Sequence, residues 1–489
     1  MADVAGMKKR AKEVADALLA SDEVEVVGHI DADGITASSI ASAALKRAGV
    51  QHEVRFVKKL DEEEIARINK LTKMVYLVDL GSGYADKLRG GVCIADHHQP
   101  SLPCKTKAVK RTIFDFDSDE ASEGLHLNPH LFGGDGSREL CGAGASYLVA
   151  KAMDAKNVDL APLAIVGAVG DFQDADARRL VGFNTLIVKD AVDHGMVDVE
   201  EDLRLYGRET RPLTKLLQYS SDPNLPGLTG KPNDCASFIS RSGVELKKGG
   251  SWSTWSMLDR DEKGKIVSAL VELLLNDGRE EKDIVRLVGE CYRLRREDEG
   301  SELRDAKEFS TLLNSCGRYG KAMVGLEVCC GDRGDKWRES LRQLRSHREN
   351  IAEALDVVKK CGVERAQFTH LQYIRGPAGF CIPVEDTVVG IVAGMLLGSG
   401  GVPDDRPIVA FAESVGANGQ MNTKASARGT KALVERGLDL SKAMKEASER
   451  CEGTGGGHNI AAGATIPEGR ETEFLSHLDA IFAASVRTQ

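Results

Sequence analysis

Four short segments carry histidines and carboxylates at the ends of apolar runs. They are His29-Ile-Asp31-Ala-Asp33-Gly34, Val78-Asp79-Leu-Gly81, Asp96-His97-His98 and Gly170-Asp171-Phe-Gln-Asp174. Carboxylate plus imidazole, without thiolate, is the donor set of hard to borderline divalent cations such as Mn²⁺ or Mg²⁺. Two such ions about 3.5–4 Å apart can turn water into hydroxide and stabilise the oxygens of an in-line displacement at phosphorus. A bridging carboxylate would complete that arrangement. Taken singly, each fragment has a plainer reading, since a strand-end Asp commonly caps a helix and a lone His is usually a satisfied surface or core residue. Four in this order outweigh it.

The elements that must position these residues are legible in the first half of the chain. Residues 25–28, 54–57, 74–78 and 91–95 read as buried strands, and 34–47 and 61–70 as helices between them. This is the spacing of β-α-β units and predicts a parallel sheet flanked by helices. In an open parallel sheet the carboxyl ends of strands share one edge, so residues far apart in sequence converge there. Period-2 alternation of an extended chain would aim His29, Asp31 and Asp33 to one side before a helix starts at Gly34.

The character then changes. Residues 203–303 are turn-rich and charged, and predict a mainly helical insertion; 335–360 predicts a connecting helix; 388–397 and 407–412 look like sheet-forming cores. The expected class is α/β: a parallel-sheet domain over 1–203, a mainly helical middle segment over 204–334 that takes a partner or substrate, the connecting helix over 335–360, and a second, smaller α/β domain over 361–489. A glycine-rich segment at 453–457 and a short helix close the last.

With 489 residues, 42% of them hydrophobic and 29% charged, the composition is that of an ordinary globular chain. The net charge of −10 argues against a protein that coats nucleic acid through bulk charge, but leaves room for a strand held in a local groove. The longest nearly uncharged apolar stretch, 161–170, falls short of the roughly 20 residues of a membrane helix, and no leader pattern opens the chain. A cytoplasmic protein without membrane contact is expected. The 11 cysteines include no CxxC pair, and Cys329-Cys330 lack partners at zinc-site spacing, which predicts reduced thiols.

HIDADG at 29–34, VDLG at 78–81, DHH at 96–98 and GAVGD at 167–171 resemble the four motifs of the DHH phosphoesterase superfamily. Gly455-Gly-Gly-His458 with Asn459-Ile-Ala-Ala-Gly463 resembles the signature of the DHH-associated C-terminal domain. The HxDxDG form is similar to that of RecJ-type nucleases. Asn128-Pro-His-Leu-Phe-Gly133, Tyr206-Gly-Arg-Glu-Thr-Arg-Pro212 and Leu313-Asn-Ser-Cys-Gly-Arg318 resemble the archaeal RecJ-like branch, which includes the GINS-associated nuclease and is similar in architecture to the eukaryotic Cdc forty-five helicase subunit. The resemblance implies two divalent cations, Mn²⁺ first and Mg²⁺ second. His29, Asp31 and Asp79 would hold one, and Asp33, Asp79, His97 and Asp171 the other, with Asp79 the bridge. Asp96 would fix an imidazole, and His98 would donate toward the scissile phosphate or serve as a ligand's hydrogen-bonding neighbour.

Substrate contacts are expected from Gly455, Gly456, Gly457 and His458, whose backbone N–H groups no side chain obstructs, and from Ser426, Arg428 and Arg318. The two modules would form a cleft. Arg338, Arg342, Arg345 and Arg348 recur at helical spacing and could track a strand or form a solvated face. Trp252 and Trp255 could stack bases or serve the core. The leading expectation is a metal-dependent exonuclease of single-stranded DNA, and of RNA as a further substrate, acting in DNA replication or repair. The alternatives are a phosphodiesterase of short oligonucleotides or cyclic dinucleotides, and a replisome scaffold that binds the GINS complex.

Overall fold

The computed structural model describes residues 2–101, 125–220, 223–398, 402–416 and 419–485. The chain divides into two compact units, Met1–Leu216 with Ala236–Leu344, and Leu217–Cys235 with Arg345–Gln489. Most of the 204–334 segment therefore groups with the N-terminal sheet, while a short piece of it belongs with the C-terminal one.

The first unit begins α1 (Val4–Leu19), β1 (Glu23–His29), α2 (Ala32–Ala48), β2 (Gln51–Val57), α3 (Glu62–Lys70), β3 (Met74–Val78), β4 (Val92–Ala95), β5 (His126–Leu127), α4 (Gly142–Met153), α5 (Ala161–Gly170) and α6 (Asn184–Asp193). Its five strands are all parallel in the order β2-β1-β3-β4-β5. The central strands β3 and β4 are unbroken apolar runs because both faces of the sheet are covered. Val24, Val26, Tyr76 and Val78 pack beneath residues of α1, α2, α4 and α5, while Val27, Val75, Leu77 and Ile94 meet Ile65 and Ile68 of α3. The chain leaves β1 outward to β2 and returns to β3 on the other side, so β1 and β3 flank the switch point where such sheets open a crevice.

The extended stretch expected through Asp33 stops earlier. Asp31 caps α2, its Oδ1 accepting the Gly34 N–H at 2.9 Å, and Asp33 lies in the first helical turn. The capping bond competes with extension and wins. A Cβ on Gly34 would lie 2.6 Å from the His29 carbonyl carbon, so the sharp entry needs glycine.

Next come β6 (Val197–Leu203), α7 (Leu213–Gln218), α8 (Pro232–Arg241), β7 (Lys247–Lys248), β8 (Ser251–Trp252), α9 (Arg260–Asn276), α10 (Glu281–Ile284), β9 (Val288–Leu294), α11 (Ala306–Arg318) and α12 (Ala322–Cys329). The middle segment is thus not helical throughout: β9 pairs antiparallel with β6 along seven residues. The β9 sequence, Val-Gly-Glu-Cys-Tyr-Arg-Leu, lacks a strict apolar/polar alternation, so only its pairing with β6 reveals a strand. Trp255 is buried, its indole N–H on the Asp202 carboxylate at 3.0 Å, and so has a core role; Trp252 is half exposed under the Lys247 ammonium.

The connecting helix, α13, runs Asp335–Lys360 as expected, with Arg338, Arg342 and Arg345 exposed. In the second unit follow β10 (Gly362–Glu364), β11 (Gln372–Arg375), α14 (Val389–Gly398), β12 (Ile408–Val415), β13 (Met421–Arg428), α15 (Lys431–Glu435), α16 (Leu440–Arg450), β14 (Thr454–Gly457), β15 (Ala461–Pro467) and α17 (Glu471–Ser485). The six strands form one mixed sheet, β10-β11-β12-β13-β15-β14. Residues 388–397, expected to be sheet-forming, are instead the helix α14. A helix apolar all round carries no periodic signal and reads like a buried strand. The ten described cysteines form no disulfide, and Cys104 lies outside the described residues. No described helix is long and apolar enough to cross a membrane.

Candidate metal centre

The crevice between β1 and β3 gathers all six expected ligand residues. His29 ends β1, Asp31 and Asp33 open α2, Asp79 follows β3, His97 comes two residues after β4, and Asp171 is the C-cap of α5. Asp79 lies at the middle. Its Oδ2 is 3.5 Å from His29 Nδ1, and its Oδ1 is 3.2 Å from His97 Nε2. Asp31 Oδ2 adds to the His29 side at 2.9 Å; Asp33 Oδ2 and Asp171 Oδ2 each lie 3.7 Å from a nitrogen of His97.

Asp79 is 1% exposed, yet neither of its carboxylate oxygens accepts a hydrogen bond. Buried carboxylate oxygens almost always have donors, and a cation is the partner that needs none. The backbone of Asp79 is left-handed, φ +58°, a conformation tolerated by Asp and stored where surrounding structure demands it. A Cβ on Gly142 would lie 2.5 Å from Asp79 Cβ, so the start of α4 closes over Asp79 only because that residue is glycine.

The electrostatics have the same origin. Burial drives Asp33 well above the usual carboxylate range, with the Asp79 charge adding to it, and burial with Asp79 and Asp31 pushes Asp171 up to about 6. Burial works against Asp79 as well, but the two imidazoles outweigh it and hold Asp79 well down. Burial opposes protonation of His29 and His97, and the surrounding carboxylates reverse that and raise both. Four carboxylates and two imidazoles packed this tightly strain against one another unless a positive charge sits among them. The residues fit a site for divalent cations.

Supporting contacts orient the rings. His97 Nδ1 donates to the Gly136 carbonyl at 2.7 Å, which leaves Nε2 as the nitrogen facing Asp79 and Asp33. The same carbonyl accepts from Gln173 Nε2 at 2.8 Å, and Asn184 holds the other end of that amide at 2.7 Å. Asp33 accepts the Gly142 and Ala143 N–H groups at 2.7 and 2.9 Å, so the N-terminus of α4 fixes it. Asp96 is fully buried and already satisfied: it accepts from the backbone N–H groups of Ser82, His97 and His98 and lies 2.8 Å from His98 Nδ1. It orients His98, whose side chain is half exposed. Ser82 in turn joins His126 and Asn128, each at 2.7 Å.

Helix α11 braces the first loop from behind. Asn314 Oδ1 accepts the Ala32 N–H at 2.9 Å, and Arg318 is close enough to Asp31 for that carboxylate to oppose the lowering of its guanidinium by burial. Among the expected substrate residues, Arg318 therefore belongs beside the cluster. Gln173, Asn184, Gly136 and Asn314 escaped the sequence reading of the site. Their contacts are neutral hydrogen bonds across 11 to 282 residues, which no local spacing announces.

The remaining expected substrate residues lie together on the second unit's sheet. Lys424, Ser426 and Arg428 alternate along β13, and the register sets Ser426 opposite Gly463 and Gly463 opposite Gly456. Gly455, Gly456 and Gly457 are not a loop but strand β14 at the sheet edge; tight packing of α16 against Gly455 and a four-residue return from Gly457 to Ala462 pull the run into extended pairing. A Cβ on Gly456 would meet nothing within 4 Å. Ser426 and Arg428 sit against α14, where a Cβ on Gly390 would lie 3.1 Å from Ser426 Oγ and from Arg428 Cζ. His458 follows directly in the hairpin turn, its N–H on the Ala461 carbonyl.

Comparison with known proteins agrees with this architecture. Residues 205–288 match the DHH-CID domain and residues 381–484 the DHHA1 domain. The chain is 29% identical over 472 residues to an uncharacterized protein of Methanocaldococcus jannaschii, covering 95% of this chain and 94% of that one. Its fold is similar to that of the exonuclease RecJ bound to manganese (17% identity, TM-score 0.54, 99% of this chain and 95% of the other). It is also similar to CDC45 from Entamoeba histolytica (12% identity, TM-score 0.60, 98% and 97%). The fold is RecJ-like. The DHH-CID match falls in the middle segment and the DHHA1 match toward the C-terminal end of the chain.

Proposed function

We propose that this protein is a divalent-metal-dependent phosphodiesterase that hydrolyses single-stranded DNA, and RNA as a further substrate, as a RecJ-like exonuclease in DNA replication or repair. The observation that carries the reading is Asp79, buried between two imidazoles with both oxygens lacking hydrogen-bond donors. His29, Asp31 and Asp79 would hold one cation, and Asp33, Asp79, His97 and Asp171 a second, with Mn²⁺ preferred over Mg²⁺. Such a pair supplies activation of water and neutralisation of charge on the phosphoryl oxygens. The Gly136 carbonyl keeps His97 in the tautomer whose Nε2 can ligate. Asp96 holds His98 through Nδ1 and raises its pKa against the effect of burial, so the Nε2–H of the ring can donate a hydrogen bond to a phosphate oxygen. Ser426, Arg428, Gly456 and His458 would bind the strand, with a guanidinium for phosphate and an open backbone face for close approach.

The test is incubation with Mn²⁺ or Mg²⁺ and 5′- or 3′-labelled DNA and RNA strands. Metal-dependent shortening that Asp79→Ala and His97→Ala abolish is expected; its absence overturns the reading. Turnover of dinucleotides equal to that of strands of about ten nucleotides would favour the short-oligonucleotide alternative. A second reading, a GINS-binding replisome component, draws support from the likeness to CDC45. Pull-down with GINS subunits checks it independently of activity.

A further inference from the structure

Phe172 breaks a local rule beside the metal centre. Helix α5 ends in a Schellman motif: the Gln173 N–H reaches the Ala168 carbonyl at 3.0 Å and the Phe172 N–H the Val169 carbonyl at 3.1 Å. The residue between these closing bonds must be left-handed, and Phe172 has φ +58°. Glycine is the usual occupant there, with asparagine the next, because a Cβ crowds the backbone. A bulky aromatic is costly at that place and gains nothing in return from the protein, since its ring is 70% exposed, the most exposed large hydrophobic among the described residues.

Its neighbours explain how the ring is held outward. Asp171 points to His97, 3.7 Å away, and Gln173 is buried on the Gly136 carbonyl and Asn184. With the residues on both sides anchored at the metal centre, the turn projects the Phe172 ring into solvent within one residue of a ligand carboxylate. Only four described non-glycine residues are left-handed, and two of them are Asp79 and Phe172. Strain concentrated in this way marks residues retained for what they contact.

We infer that Phe172 is a substrate-contact residue: its ring stacks on the nucleobase of the nucleotide at the metal centre, holding the terminal phosphodiester in place independently of base identity. This inference rests on the nuclease reading above. Every base has a face to stack on, so an aromatic here suits an enzyme that must accept any sequence.

The experiment compares native protein with Phe172→Ala, Phe172→Asn and Phe172→Trp on end-labelled strands whose terminal nucleotide is thymidine or an abasic analogue, at each end in turn. Native protein and Phe172→Trp should prefer the thymidine-ended strand by roughly tenfold in kcat/KM, the scale of one base stack. Phe172→Ala and Phe172→Asn should lose about that factor on the thymidine-ended strand and show no preference. Phe172→Asn should unfold at or above the native temperature, because asparagine tolerates the left-handed turn; this separates lost contact from lost fold. Undiminished kcat/KM and an intact preference in both small variants overturn the stacking role while leaving the nuclease reading standing. Native protein that cleaves no strand in Mn²⁺ or Mg²⁺ overturns both.

Discussion

The two sheets carry chemistry in opposite ways. At the first, side chains converge: four carboxylates and two imidazoles from four separate segments meet at the switch point of a parallel sheet, buried and electrostatically crowded. At the second, side chains are withheld. Gly456 and Gly463 face each other across β14 and β15, and the cations Lys424 and Arg428 border that bare stretch. A cation site needs ligands held to within fractions of an ångström, which only braced, buried residues provide; a surface for a polymer backbone needs room and charge. Damage to the first should therefore abolish turnover, and damage to the second should weaken binding.

The largest effect is expected from Asp79→Ala, which removes the carboxylate shared by both sides of the cluster. Activity in Mn²⁺ should fall by about 10³-fold or more at saturating substrate, the scale of several kcal/mol of lost charge stabilisation. Next is Asp96→Asn, which keeps the shape but weakens the grip on His98 and on the His97 backbone. A Mn²⁺ titration should show half-activation at a concentration about 10- to 100-fold higher, as for other residues that orient ligands. Third, Arg428→Ala should raise KM for a single strand by about tenfold with kcat kept, and lower the salt slope of binding by about one. A fall in kcat with KM unchanged would dissolve the contrast between the two sheets.

The smallest effect at neutral pH concerns His126, which burial pushes down to about 4 against the pull of Asp96. The folded protein then holds this imidazole neutral while the unfolded chain, near 6.5, takes up a proton first. Its contribution is complete above about pH 6.5 and is lost as pH falls toward 4. Between pH 7 and 5 that loss is roughly 2 kcal/mol. His126→Gln, which can still meet Ser82 Oγ, should show a correspondingly shallower drop in urea midpoint over the same interval.

The legible parts of the molecule are those with local signals. Met74–Val78 read as a strand because a buried parallel strand is a short apolar run; Val54–Val57 read as buried too, but β2 is the sheet's edge strand and stays only half-buried; α13 was legible to its bounds because its charged stripe has helical period. Helix α14 misled because Gly390 and Gly394 sit in an unbroken apolar run whose period is invisible. Strand β9 misled because its partner β6 lies some ninety residues earlier. Asp33 was recognisable as a site residue, but not as a carboxylate seated on the N-terminus of α4, since Gly142 and Ala143 are more than a hundred residues away.

What the amino-acid sequence determined by itself is the chemistry on offer: which donors exist, that they sit at the ends of apolar runs, and that thiolate is not among them. Tertiary structure alone decided which oxygen of Asp79 faces which imidazole, which nitrogen of His97 is left to bind, and that Phe172 is forced outward from a turn built for glycine. Donor type is a property of a residue, whereas direction, tautomer and strain belong to contacts between elements that meet only when the chain is folded.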